Sequence, residues 1–153
     1  MKNKILPIAI TLIVILITSV LGSIFVYIGM PWYKALNIPS YWVPSILIPI
    51  VWTTIYLLFA IILSIMIENN LITFKTTILL ILNALLNIVW CLTFFTLQNT
   101  LLGMVIIIAN LILGIILIKH IFSINKIYGN IIAIYPYWLC IATCLNLAIW
   151  ILN

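Results

Sequence analysis

The chain has 153 residues, of which 68% are hydrophobic and only 5% charged. Soluble domains carry about 25% charged residues, so a water-soluble globular fold is excluded and the membrane is the solvent. The net charge of +5 comes from six scattered lysines against Glu68, with no dense basic stripe of the kind that binds nucleic acid.

A bilayer core of about 30 Å needs about 20 apolar residues of helix. Five stretches meet this, predicting an all-α membrane protein, a single domain (1–153) built as a bundle of five transmembrane helices. The first covers 5–28, behind Lys2 and Lys4. Its apolar run is longer than a signal peptide's and no A-x-A cleavage site closes it, so it reads as a retained helix. The connection to the second span runs from Gly29 to Trp42 and is the longest. Residues 31–52, PWYKALNIPSYWVPSILIPIVW, hold four of the six prolines and three of the six tryptophans. Proline fixes φ and removes a backbone donor, which predicts an extended, stiff connection around Pro31, Pro39 and Pro44 and a kink at Pro49. Two readings of its aromatics stay open: an interfacial belt of Trp and Tyr, or a lid over a pocket. A belt accounts less well for Trp52, which lies two turns inside the second span.

The second span covers 43–67 and stops at Glu68-Asn69-Asn70. The third covers 76–97. Its Asn83, Asn87, Trp90 and Phe94 fall at i, i+4, i+7 and i+11, on one helix face. The fourth covers 101–122 and carries Gly103, Asn110 and Gly114, with Lys119 and His120 in its last turn. SINKIYGN is the short polar link to the fifth span, 131–152, in which Trp138, Ala142, Asn146 and Trp150 recur every fourth residue. Five spans put the termini on opposite sides. Lys2, Lys4, Lys75, Lys119 and Lys126 then share the N-terminal side and Lys34 stands alone, so the positive-inside rule predicts a cytoplasmic N-terminus and an external C-terminus in a bacterial cell membrane.

No acid or base sits in the middle of a span, which argues against an ion-coupled pump. Cys91, Cys140 and Cys144 lie in apolar runs and read as small buried hydrophobes. Cys140 and Cys144 are four apart but have no nearby ligand to complete a metal shell, so no metal and no resident cofactor are expected. The asparagines have two readings: interhelical hydrogen bonding, or orienting groups in a cavity lined by Trp52, Trp90 and Trp138 from three different spans.

At these residues the chain resembles the TspO/MBR family of tryptophan-rich sensory proteins, related to the mitochondrial translocator protein. WYKALNIPSYWVP followed by PIVWTTIY is similar to the family's proline-rich first loop and its later V-W-x-x-L/I-Y, through Trp32, Tyr33, Leu36, Pro39, Pro44, Trp52 and Tyr56. Asn87, Trp90, Phe94 and Phe95 resemble a second block, and Trp138, Ala142, Leu145 and Asn146 a third. One departure is that the proline ahead of Trp138 is displaced to Pro136, after Ile134 and Tyr135, which predicts an altered entry to the fifth span. No cholesterol-recognition pattern is evident at the C-terminus.

The resemblance implies a membrane receptor or sensor that binds porphyrins (protoporphyrin IX, haem) and similar flat hydrophobic ligands in a pocket under the first loop. The implied ligand-binding residues are Trp32, Tyr33, Trp52, Asn83, Asn87, Trp90, Trp138, Ala142 and Asn146. Lys34 could meet a propionate there, and homodimers are implied as well. Two alternatives stay open. One is a light-dependent porphyrin-degrading enzyme using Trp52 and Trp138, with no conventional catalytic residues; the other is a transporter of porphyrin or another lipophile.

Overall fold

The computed structural model describes residues 4–39 and 43–153. Its described residues form helices and connections only. In order these are α1 (Ile5–Ala35), α2 (Leu47–Glu68), α3 (Phe74–Cys91) continued by a π-helical turn (Leu92–Thr96), α4 (Thr100–Ile124), α5 (Lys126–Ile132) and α6 (Ile134–Leu152). Five helical segments are long and apolar enough to cross a membrane: Ile5–Ala35, Leu47–Glu68, Phe74–Thr96, Thr100–Ile124 and Lys126–Leu152. The expected bundle of five transmembrane helices is what the chain forms.

Local chemistry sets the ends. Thr73 and Thr76 form a reciprocal capping box that starts α3. Asn99 caps α4 through Leu102 N–H at 2.9 Å, just after Gln98 turns the chain with φ 54°. Asn125 caps α5, accepting from Ile127 N–H at 2.9 Å and Tyr128 N–H at 3.1 Å. The polar link between the last two spans is therefore mostly helix, not loop. A Cβ at Gly129 would come within 2.6 Å of the Phe122 Cα, so this tight corner needs glycine.

Two proline expectations are corrected. Helix α1 does not stop at residue 28 but runs through Pro31 to Ala35, so the first half of the supposed extended connection is helical. Membrane helices tolerate proline because neighbouring groups re-satisfy the freed backbone. Pro49 causes no kink: it is the third residue of α2, in the first turn, where backbone donors have no intrahelical acceptor in any case. Between α1 and α2 the described non-helical residues are 36–39 and 43–46, so the second span starts at Leu47 and not at 43. The first of these stretches is tied to the far end of the chain, with Asn37 N–H donating to Asn153 Oδ1 at 2.9 Å. Tyr41 and Trp42 lie outside the described residues.

At the entry to the fifth span, Pro136 lies just beyond an interruption of the helix. It cannot donate to the Ile132 carbonyl, and the helix breaks at Ala133 between α5 and α6. The break sends Tyr135 into the core, where it is 3% exposed.

The core lies among α2, α3, α4 and α6, with Leu63, Met66, Ile107, Leu117, Ile121 and Leu139 almost fully enclosed. Helix α1 is an outer helix whose only buried residues are Thr18, Gly22 and Gly29. Lipid is as apolar as leucine, so helices in it associate by close packing, and small residues permit that. At Gly29 a Cβ would collide with the Phe95 backbone carbonyl. The π turn sits opposite. Its wider coil turns Thr93, Phe94 and Phe95, three consecutive residues, into the interior together.

Many other apolar side chains face outward. Cys140 and Cys144 are among them, which corrects their reading as buried; Cys91 alone is enclosed. Trp150 is 45% exposed, because a spacing of four drifts off a face of period 3.6 and the third step carries it outside. Among the described residues no group of three metal-ligating side chains comes together. The N-terminus of α1, the α2–α3 turn and the α4–α5 corner share one end of the bundle: Lys4 Nζ donates to the Glu68 carbonyl, and Thr73 Oγ1 lies 3.1 Å from His120 Nε2.

Candidate functional site

The proposed ligand residues divide into two groups. Trp32, Tyr33, Trp90, Trp138, Ala142 and Asn146 belong to a closed, packed end of the bundle. Trp32 and Tyr33 sit on the last turn of α1 and meet Phe94 at 5.7 and 6.3 Å between ring centres; Tyr33 also meets Phe95 at 5.3 Å. They are helix residues packed on the π turn, not a lid over open space. Trp90 stacks on Phe94 at 5.9 Å and donates its indole N–H to Asn146 Oδ1 at 3.2 Å. Asn146 also donates to the Thr100 carbonyl at 3.0 Å. Both ends of that amide are used, so Asn146 is an interhelical tie. Trp138 and Ala142 are buried beside it on α6.

Trp52, Asn83 and Asn87 belong to a different place. They line a groove between α1 on one side and α2 and α3 on the other, with a cavity volume of about 190 Å³. Helix α2 contributes one face, Trp52, Ile55, Tyr56, Phe59, Leu63 and Ile67, and α1 contributes Ile10 to Thr18. Tyr135 closes the floor. The groove follows α2 for about 22 Å at a rise of roughly 1.5 Å per residue. At the end remote from the first loop it widens into a depression of about 470 Å³ lined by Pro7, Thr11, Asn70 and Thr77. Among the described residues no charged side chain lines either part. Lys34, on the last turn of α1, is at the opposite end from this mouth.

The polar groups of the groove are incompletely paired. Asn87 Nδ2 donates to Tyr56 Oη at 2.9 Å, and Asn87 Oδ1 is buried without a partner. The Tyr135 hydroxyl donates to Asn83 Oδ1, and Asn83 Nδ2 is buried without a partner. Tyr135 Oη also lies 3.3 Å from Asn110 Oδ1. A hydroxyl has one proton, so turning the Asn110 amide over lets its nitrogen, also unpaired as drawn, donate to Tyr135 instead. The same turn does not rescue Asn83 or Asn87: each amide has two polar ends and one partner, so one end stays unpaired either way. An unmet buried polar group costs about 1–3 kcal/mol, and such groups gather where a ligand or water is received. Trp138 Nε1 is unpaired too but does not border the groove.

Trp52 joins the two regions. Its ring stacks on Tyr56 at 5.8 Å and on Trp90 at 6.4 Å. Sequence reasoning omitted Tyr135, Phe59 and the whole α1 wall from the site. Tyr56 was within reach, one turn from Trp52 in the same block. Tyr135 was signalled only by the displaced proline beside it, and the α1 wall has no polar or aromatic mark that separates it from lipid-facing sequence.

Set against known proteins, the model of the TspO/MBR family matches residues 9–151. The Tryptophan-rich protein TspO of Archaeoglobus fulgidus is 34% identical over 98% of this chain and 99% of its own length. Protein CrtK of Rhodobacter capsulatus is 27% identical over 80% of this chain and 78% of its own. The chain belongs to the TspO/MBR family, and it is an integral membrane protein.

Proposed function

We propose that this member of the TspO/MBR family is a membrane receptor or sensor for a flat, lipid-soluble ligand of the porphyrin class, engaged at Trp52, Asn83 and Asn87. The observation that carries the reading is an indole and two half-paired amides on the wall of one apolar groove. Indole faces stack on flat aromatic ligands, and amides orient their polar edges. Sites for drug-sized ligands usually measure about 300–1,000 Å³, so a porphyrin plate needs the 190 Å³ groove to widen. Helix α1, buried at only three positions, is the wall that gives way.

The test is a titration of detergent-purified protein with protoporphyrin IX in the dark, followed by tryptophan fluorescence. Saturable quenching is expected, with affinity about tenfold lower in Trp52→Phe, the loss of one stacking contact, and little changed in Trp138→Phe. Linear quenching that ignores both substitutions means micelle partition and sinks the reading. The stacked rings of Trp52, Tyr56 and Trp90 favour a second reading, photochemical degradation of the bound porphyrin. Loss of the porphyrin absorption band under illumination, abolished by Trp52→Phe, would identify it.

A further inference from the structure

The groove has a shape and a polarity that select more narrowly than "flat and hydrophobic". A volume of about 190 Å³ spread over about 22 Å is a long, narrow channel, suited to a slender chain more than to a plate. Its mouth lies at the lysine-bearing end, between Pro7 and Thr11 of α1 and Asn70 and Thr77 beside the α2–α3 turn. From Thr77 to Asn87 along α3 is about 15 Å, the length of a medium-chain alkyl group. At the inner end wait Asn83 and Asn87, 6% and 5% exposed, each with an unpaired amide atom. Among the described residues no lysine, glutamate or histidine lines the path.

We propose that this groove is a binding site for a slender, uncharged amphiphile with a hydrogen-bonding head, such as a medium-chain carboxamide, which enters from the mouth at the lysine-bearing end and seats its head on Asn83 and Asn87. The site rests on the reading of this chain as a small-molecule receptor and specifies its ligand chemistry and route. A carboxamide presents one acceptor and two donors, and so answers both half-paired asparagines whichever way their amides are turned. A carboxylate head seated at that inner end would be an unpaired charge among apolar walls, so a chain of the same length ending in carboxylate is rejected, whereas a larger ligand that keeps its carboxylates at the mouth is not. The route follows from α1. Its C-terminal half is pinned, with Gly22 on Cys91, Gly29 on the Phe95 backbone and Thr96 Oγ1 donating to the Phe25 carbonyl at 3.1 Å. Its N-terminal half, from Ile10 to Thr18, borders the groove.

The experiment is thermal unfolding of the detergent-purified full chain with decanamide or decanoate at pH 8, in wild type, Asn87→Leu, Ala84→Phe and Thr77→Phe. Ala84 is on the groove wall and Thr77 at the mouth, where it is exposed, so Thr77→Phe blocks entry with no change to the core. Decanamide is expected to raise the wild-type Tm by a few degrees and decanoate to leave it in place. The rise is lost in Asn87→Leu and Ala84→Phe and reduced in Thr77→Phe. Equal shifts from amide and acid, no shift from either, or a full shift in Ala84→Phe and Thr77→Phe together, overturns the proposal. Porphyrin quenching reports separately: saturable quenching with no amide shift leaves the porphyrin reading standing and removes this one, and an amide shift without porphyrin binding keeps this proposal and the small-molecule receptor and removes the porphyrin as its ligand.

Discussion

The two ends of the bundle use the same residue types to opposite effect. At the first-loop end, Trp32, Tyr33, Phe94, Phe95 and Trp90 interlock, and the Asn146 amide spends both of its ends on neighbouring helices. At the other end, a groove of about 190 Å³ runs between α1 on one side and α2 and α3 on the other, and Asn83 and Asn87 each hold one partner and one unpaired atom. Asparagine spaced along one face of a membrane helix is therefore not a single signal. What separates a tie from a receptor is whether both ends of the amide are met, and that depends on which helix lies opposite.

The most direct way to break the contrast is to unpin α1. Gly29 has no room for a Cβ against the Phe95 backbone, and backbone cannot yield as a side-chain tip can. Gly29→Val is expected to cost at least ~3 kcal/mol, at the upper end for overpacked sites, and to open the closed end. At Gly22 a Cβ meets only Cys91 Sγ at 3.4 Å, an ordinary contact, so Gly22→Ala should change stability by less than ~1 kcal/mol. Thermal unfolding in detergent checks both. Equal effects would mean that α1 is not anchored where the glycine contacts indicate.

The next effect tests the paired amide. Asn146→Leu removes the acceptor of the buried Trp90 indole N–H and the donor to the Thr100 carbonyl. Each stranded group costs about 1–3 kcal/mol, reduced where it finds another partner, so a loss of about 2 kcal/mol is expected. A smaller effect is expected at the helix starts. Asn125→Ala removes a side-chain cap from two backbone donors, for about 1 kcal/mol. Its consequence should be local, raising hydrogen exchange in Lys126–Ile132 while the rest of the bundle keeps its protection.

Much of this fold was legible in the sequence, because a membrane span is a matter of length and apolarity, and all five spans appear where five apolar runs stood. What misled was proline. Pro31 and Pro49 were read with the rules of water-exposed helices, yet Pro31 lies inside a membrane helix and Pro49 in a first turn. Pro136 was read as a change at the entry to the fifth span; in this chain the helix is interrupted at Ala133, just before it, and Tyr135 is buried. The site was half legible. Periodicity placed Asn83, Asn87 and Trp90 on one face, but α3 meets α1 and α2 on part of that face and α4 and α6 on the rest. No spacing within one helix says where its neighbours change. The α1 wall was hidden for a simpler reason: Ile10, Val14 and Ile15 read the same whether they face lipid or groove.

The smallest expected effect bears most directly on the contrast between the ends. Asn87→Leu is the same chemical change as Asn146→Leu, at a residue of nearly equal burial. It removes a donor to Tyr56 Oη, a hydroxyl that remains free to rotate toward another acceptor, and it also removes an unpaired buried carbonyl oxygen. The two terms oppose each other, and replacing a badly met polar group by an apolar one of the same shape is close to neutral. Stability should therefore change by less than ~1 kcal/mol, against about 2 kcal/mol for Asn146→Leu. A residue that holds the fold together cannot be replaced at so little cost. If Asn87→Leu destabilises as much as Asn146→Leu, the groove asparagines are ties like the others, and the two ends of the bundle differ in packing alone.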